Sequence, residues 1–292
     1  MFSLRRPISA VLGLATAVAL TGAALLAANN APASAAALMS SAAPPKPTIV
    51  IEHGAWADGS SFAGVVRRLQ ERGYTVDVPP VPLSGLASDS ATLADFLQTI
   101  SGPIILVGHS YGGMVISDAA TGNPQVKALV YVDAFIPAQG ETAFELASAR
   151  PGSCLSGGGD PANVFNFVPY PGAPAGDADL YVKTQADGPF PGFADCFAND
   201  LPASTAAVLA ATQLPIAASA LSEQSSAPAW TTIPSWDLIG TADNVIPPAE
   251  QLYMAQRAGA HIVSVNASHL SMISHPAAVT SLILAAAAGA AS

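Results

Sequence analysis

Pro103-Ile104-Ile105-Leu106-Val107-Gly108-His109-Ser110-Tyr111-Gly112-Gly113-Met114-Val115 decides how this chain is read. An apolar run, Pro103 to Val107, leads into a pentapeptide of the form G-x-S-x-G, and a helix-like run, Met114 to Ala120, follows. That order is strand, sharp turn, helix, the setting of a nucleophile elbow. The turn is so tight that side chains two residues either side of the serine would clash, and Gly108 and Gly112 remove them. Ser110 then projects from the end of a strand, where a base can reach it. The helix behind it aims backbone N–H groups and the positive end of its dipole at the same point. Such an elbow is idle without an oxyanion hole, a base and an acid. The rest of the chain supplies candidates for each.

Upstream, Thr48 to Glu52 is a short buried-strand pattern, followed by His53-Gly54-Ala55-Trp56. Phe62, Val65, Val66 and Leu69 share one face of a helix expected over Ser61 to Arg72, which Gly73 stops. Tyr74 to Val78 reads as a strand and Asp89 to Ile100 as a helix. Downstream, Lys127 to Val132 reads as a strand ending at Asp133. The same alternation resumes much later. Ser235 to Ile239 is a strand followed by Gly240-Thr241-Ala242-Asp243, and Pro248 to Ala258 is a helix. His261 to Val265 is the last strand, followed by Asn266-Ala267-Ser268-His269, and His275 to Leu284 closes the chain as a helix. Strands alternating with helices imply an α/β fold, a mostly parallel sheet flanked by helices. In such sheets the site lies beyond the carboxyl ends of the strands, where His53, Ser110 and Asp133 all fall.

The alternation stops at Pro137. From there to Pro228 the sequence is rich in Gly, Pro and Ala and carries eight Phe and Tyr residues, among them Phe144, Phe165, Tyr181 and Phe197. No strand is expected there, only short helices near Glu141–Ala149, Asp177–Thr184 and Ser204–Ala211. The stretch reads as a lid inserted over the strand ends. The expected organisation is a hydrolytic core over 48–136, a lid over 137–228 and the rest of the core over 229–292.

The chain has 292 residues, 51% of them hydrophobic and 10% charged, enough apolar material for one sizeable core. Its net charge is −10 with 10 Lys and Arg, and no basic run is visible, so nucleic acid is not an expected partner. Arg5-Arg6, an uncharged apolar stretch from Ile8 to Ala28, and Ala33-Ser34-Ala35 form a basic region, an apolar region and an A-x-A cleavage site. Residues 1–35 therefore read as a signal peptide, cut near Ala35 and leaving a secreted protein with no stable membrane association. Residues 36–47 read as a flexible lead-in. An uncleaved anchor is the competing reading, weakened by the Ala, Gly and Thr content of the stretch. In an exported chain Cys154 and Cys196, both in the lid, are candidates for a disulfide contributing about 3–4 kcal/mol through loop closure. Two buried thiols are the alternative.

The chain order Ser110, Asp243, His269 is that of the α/β-hydrolase fold, each residue directly after a strand. Serine needs a base at hydrogen-bond distance, and an imidazole suits that task. Asp243 would hold the imidazole in its useful tautomer. Asp133 also follows a strand and is the other candidate acid; the tight Gly-Thr-Ala-Asp turn favours Asp243. Among the other histidines, His53 is expected to brace the oxyanion loop, His109 to point beside Ser110 towards the sheet or pocket, His261 to open a strand at the wrong end, and His275 to lie at the surface or cap a helix. The oxyanion hole needs two backbone N–H groups, expected from Tyr111 and Ala55. Trp56 and Met272 are candidate pocket walls.

The segments HGAWADGSSF (53–62), VGHSYGGMV (107–115), VYVDAFIP (130–137), IPSWDLIGTADNVIPP (233–248) and ASHLSMISHP (267–276) resemble the α/β-hydrolase superfamily. They are most similar to the bacterial carboxylesterase-like branch related to plant methylesterases and hydroxynitrile lyases. The resemblance implies a triad of Ser110, Asp243 and His269, an oxyanion hole at Ala55 and Tyr111, and no cofactor or metal. The lid's aromatic and apolar residues suggest a small-molecule acyl or aryl ester rather than a charged substrate. Lyases of that branch use a lysine near the serine; of Lys46, Lys127 and Lys183, only Lys183 lies where it can approach. A lyase, a cofactor-free perhydrolase and a slow-turnover binding protein remain the alternatives.

Overall fold

The computed structural model describes residues 45–290. The expected signal peptide and most of the lead-in lie outside them. The chain runs β1 (Thr48–Glu52), α1 (Ala63–Gln70), β2 (Val76–Asp77), α2 (Leu86–Gln98), β3 (Ile104–His109), α3 (Gly112–Ala119) and β4 (Val126–Val132). Then come α4 (Ala143–Ser148), β5 (Phe165–Val168), β6 (Asp179–Val182), α5 (Phe193–Phe197), α6 (Ala203–Ala211), β7 (Ile216–Ala217) and α7 (Ala218–Ser222). The end is β8 (Ser235–Gly240), α8 (Pro248–Arg257), β9 (His261–Val265), α9 (Ser271–Ser274) and α10 (Pro276–Gly289).

Six strands form one parallel sheet in the order β2-β1-β3-β4-β8-β9. Helices flank it: α1 packs with α10, and α2 with α3. This is the mostly parallel, helix-flanked sheet expected from the alternation, in the α/β-hydrolase fold that the order Ser110, Asp243, His269 and the resemblance imply. Ile104 to Val107 of β3 and Leu129 to Val132 of β4 are fully buried. That is why they read as unbroken apolar runs, and burying each such Ile or Leu contributes about 1.5–3 kcal/mol. The edge strands are weaker signals. β2 keeps only Val76 and Asp77 of the expected Tyr74–Val78, and β9 is largely exposed. The last helix runs to Gly289, past the expected Leu284, because its Ala-rich end is a strong helix former.

The chain between β4 and β8 departs from the sequence expectation. It contains a three-stranded sheet, β5-β6-β7, antiparallel throughout. The helix expected over Asp177–Thr184 is strand β6, whose residues alternate half-buried and buried. Two effects hid it. β6 has only four residues, too few for its period to stand out among glycines and prolines, and its partner β5 is exposed at all but Phe165. The helices near Glu141 and Ser204 do form, as α4 and α6, and a capping box between Thr142 and Glu145 starts the first. Among the described residues no helix is long and apolar enough to cross a membrane.

Candidate active site

β3 ends at His109 and α3 begins at Gly112, so Ser110 occupies the turn between them, with φ at +53°. A side chain at Gly108 would lie 2.6 Å from the Gly112 carbonyl oxygen, and one at Gly112 would lie 2.7 Å from that of Glu52. Both are closer than a real Cβ approaches, so the motif's glycines are sterically required.

His269 sits in the loop after β9 and Asp243 in the loop after β8. The loops touch, the Ala242 N–H donating to the Ala267 carbonyl at 3.0 Å. His269 Nε2 is 2.8 Å from Ser110 Oγ, and His269 Nδ1 is 2.8 Å from Asp243 Oδ2. An ionised carboxylate only accepts, so these partners assign the proton to Nδ1 and leave Nε2 to accept from the serine. Asp243 Oδ1 also accepts from the N–H groups of Val245 and Ile246, at 2.7 and 3.1 Å, and Oδ2 from Gln251 Nε2 at 2.7 Å.

Both members of the pair are fully buried, and burial disfavours charge on each. It pushes the His269 imidazole down to about 3. It pushes the Asp243 carboxyl up, against the donors from Val245, Ile246 and Gln251. The resting imidazole is therefore neutral and able to take a proton.

Ala55 and Tyr111 border the same cavity as Ser110, and the backbone N–H of neither has a hydrogen-bond partner among the described residues. Gly54 lets the first of these loops close in: a side chain there would lie 2.7 Å from Ser110 Cβ. Tyr111 is anchored from behind, its hydroxyl donating to Asp89 Oδ2 at 2.9 Å.

Asp133 is also buried but is engaged elsewhere. Its Oδ1 accepts from the Gly240 N–H at 2.8 Å and its Oδ2 from Ser271. His53 Nδ1 donates to the Gly54 carbonyl at 3.0 Å, at the base of the Ala55 loop. His109 does not face the cavity. It lies beneath His269, with ring centroids 4.8 Å apart, and its Nε2 donates to the His269 carbonyl at 2.9 Å. Met272 is fully buried away from the cavity, so neither of these two candidate pocket residues lines it. Trp56 does, and its indole N–H donates to the Leu180 carbonyl at 2.8 Å, tying the loop to β6. Lys183 pairs with Asp187 at 2.7 Å and is not at the cavity. His275 is half-exposed at the start of α10, and His261 stacks on Trp236. Gln251, Ser271 and Phe197, whose ring stands edge-on to His269 at 5.5 Å, were not among the expected residues. Their roles come from contacts across the fold, which spacing does not encode.

The cavity is narrow, with an accessible volume of about 10 Å³. Ala55, Trp56, Ser110 and Tyr111 form its core side, and Ala143, Phe144, Ala147 and Leu155 much of the opposite wall. None of its lining residues is charged. Ser110 is only 3% exposed. Cys154 and Cys196 form a disulfide with Cα atoms 5.8 Å apart.

Residues 49–282 match the model of the alpha/beta hydrolase family. A carbendazim-hydrolysing esterase of Nocardioides sp. is 34% identical over 110 residues, 33% of this chain and 46% of that protein. A pyrethroid hydrolase of Sphingobium wenxiniae is 36% identical over 106 residues, 32% of this chain and 38% of that protein. The chain thus spans less than half the length of these two curated relatives in the matched stretches. The crystal structure of a pyrethroid hydrolase from Sphingobium faniae superposes with a TM-score of 0.65 at 22% identity, over 83% of this chain and 97% of that one, a likeness of fold.

Proposed function

The chain belongs to the alpha/beta hydrolase family, and from that premise we propose that it is an exported serine esterase acting on small, uncharged acyl or aryl esters. One observation carries this reading: the unbroken relay Ser110 Oγ to His269 to Asp243, with 2.8 Å at each step. The two esterase-type relatives support ester bonds as the reaction class.

Ser110 Oγ attacks the acyl carbon as His269 Nε2 takes its proton. The oxygen that becomes negative sits between the Ala55 and Tyr111 N–H groups, which no other acceptor among the described residues occupies. Asp243 stabilises the imidazolium. His269 then protonates the departing alcohol, leaving an acyl group on Ser110. Water enters, His269 takes its proton, and the acid is released. The uncharged cavity wall sets the substrate class, because a charged acyl group would meet no counter-ion there. Residues 137–228 act as the lid that supplies the outer wall. Cleavage near Ala35 places the protein in an oxidising compartment, with which the Cys154–Cys196 bond agrees.

The test is hydrolysis of p-nitrophenyl esters of increasing acyl length by the mature protein and by Ser110→Ala. The expected outcome is a loss of several orders of magnitude in the variant and a preference for short acyl groups in the parent. Hydrolysis by Ser110→Ala at near-parental rates refutes the reading. Turnover of cyanohydrins, or of peroxide with acid, by a parent inert to every ester would move the protein to a non-hydrolytic class.

A further inference from the structure

The Cys154–Cys196 bond brackets β5 and β6, and both of its halves seat on the loop that carries Asp243. On one side, the Cys154 N–H donates to the Asn244 carbonyl at 2.7 Å, and the Ser153 hydroxyl to the Val245 carbonyl at 2.7 Å. On the other, Asn244 Nδ2 donates to the Asp195 carbonyl at 3.0 Å, and Asn199 Nδ2 to the Ala242 carbonyl at 3.0 Å. Asn244, next to Asp243, is thus gripped from both sides of one disulfide. The same stretch then reaches the base loop. Ser268, the residue before His269, donates its hydroxyl to Asp200, and the Phe197 ring covers the His269 imidazole.

We propose that this disulfide-closed foot of the lid is a strap that positions the Asp243 and His269 loops against each other, with Asn199, Asp200 and the Cys154–Cys196 pair as positioning residues. The proposal rests on Ser110, His269 and Asp243 being the reacting set. The loops hang from β8 and β9, the last two strands at one edge of the sheet, and among the described residues β9 has no further strand to hold it. Val245, Ile246 and Gln251 fix the Asp243 carboxylate within its own loop. Beside the direct contact of Ala242 with Ala267, the strap adds a second link between that loop and Ser268, through the lid. The relay through His269 tolerates little displacement, since a misplacement of about 1 Å in such a relay lowers the rate by about a hundredfold. A disulfide serving stability alone needs no contact with the acid loop; here Cys154 itself and the neighbour of Cys196, Asp195, both make one.

The experiment separates kcat from KM on a p-nitrophenyl ester for the mature parent, Cys154→Ser/Cys196→Ser, Asn199→Ala, Asp200→Ala and Asp200→Asn, with thermal unfolding alongside. The strap requires kcat to fall by about tenfold or more in the first three variants while KM stays within about threefold. Asp200→Asn should restore most of the rate lost in Asp200→Ala, because an amide oxygen still accepts from Ser268. If kcat stays within about twofold of the parent in every variant, whatever happens to the unfolding temperature, the strap is refuted and the disulfide serves stability alone. If the double cysteine variant does not fold, Asn199→Ala and the Asp200 pair, which keep the disulfide, decide the matter. Failure of the underlying reading looks different: Ser110→Ala would then retain hydrolysis.

Discussion

Ser271 donates both its backbone N–H, at 3.2 Å, and its hydroxyl, at 2.5 Å, to a single oxygen of Asp133. That contact fixes the chain two residues beyond His269. It also occupies the second carboxylate at the strand ends, since the other Asp133 oxygen is taken by the Gly240 N–H. Two acids lie at the site, and they divide the work: Asp243 reaches the imidazole, and Asp133 holds the loop that presents it.

Replacing each acid by its amide should therefore give unequal results. Asp243→Asn puts an N–H donor where His269 Nδ1 must donate, and should lower kcat by about 10²–10⁴-fold. Asp133→Asn keeps one of the two accepting oxygens and leaves the imidazole's own partner intact, and should lower kcat by about tenfold or less. Steady-state kinetics on one ester decide it, and the reverse ranking would make Asp133 the acid.

The buried carboxyls make stability depend on pH in an unusual sense. Asp237 is fully buried with no hydrogen-bond partner among the described residues, and burial, with Asp133 nearby, raises it well above the carboxylate range. Burial and the neighbouring Asp89 raise Glu52 likewise. A raised folded pKa means the native state holds protons that the unfolded chain gives up. Stability is then greatest below the ordinary carboxylate pKa and falls as pH rises from there towards the folded value, by about 1.4 kcal/mol per pH unit for each group. Burial lowers His53, His109 and His269 and opposes this trend, so the test is differential: in denaturant titrations Asp237→Asn should lose more stability relative to the parent at pH 5 than at pH 7. An unchanged slope in the variant would assign the effect to other groups.

The cavity wall should set acyl length. Phe144→Ala opens the side facing Ser110 and should favour bulkier acyl groups, whereas Ala147→Leu should exclude all but the smallest. Each step in pocket size should shift the ratio of kcat/KM between butyrate and acetate esters by about 10–200-fold. Competition assays with paired p-nitrophenyl esters measure that ratio. Equal shifts for both esters would place the acyl group elsewhere.

Gly54→Ala should damage catalysis more than folding. Its Cβ would lie 2.7 Å from Ser110 Cβ and 2.9 Å from His109 Nδ1, so the Ala55 loop must back away from the serine. A fall of about 10²-fold in kcat is expected from a displaced oxyanion donor, with about 1–3 kcal/mol lost in stability. Kinetics paired with thermal unfolding separate the two.

The parts of the fold that the sequence displays are those built from long, locally consistent signals. The apolar runs of β1, β3 and β4 mark a sheet buried on both faces, and two glycines two residues either side of Ser110 mark the elbow. Chain order placed Asp243 and His269 because each follows a strand of that sheet. What stayed hidden depends on direction or on distance through space. His109 precedes Ser110 by one residue, yet its side chain leaves the turn on the other side and lies under His269. Met272 faces the core from a short helix that the sequence does not announce. Gln251 meets Asp243 only because α8 folds back over the loop. The β5-β6-β7 sheet stayed hidden because β6 is four residues long and most of its partner β5 is exposed.

Ser110 is 3% exposed beneath a roof that Trp56 fastens to β6. In the proposed ester hydrolysis the roof would have to yield twice in each turnover, first to the ester and then to the water that frees the acid. In between, the acyl group would stand in the cavity next to the serine. A compact group leaves room for that water, and a bulky one fills the chamber and bars it. The chamber is thus a timer as well as a filter, and an ester too large for it would act as a slow-release inhibitor of the site that cleaved it.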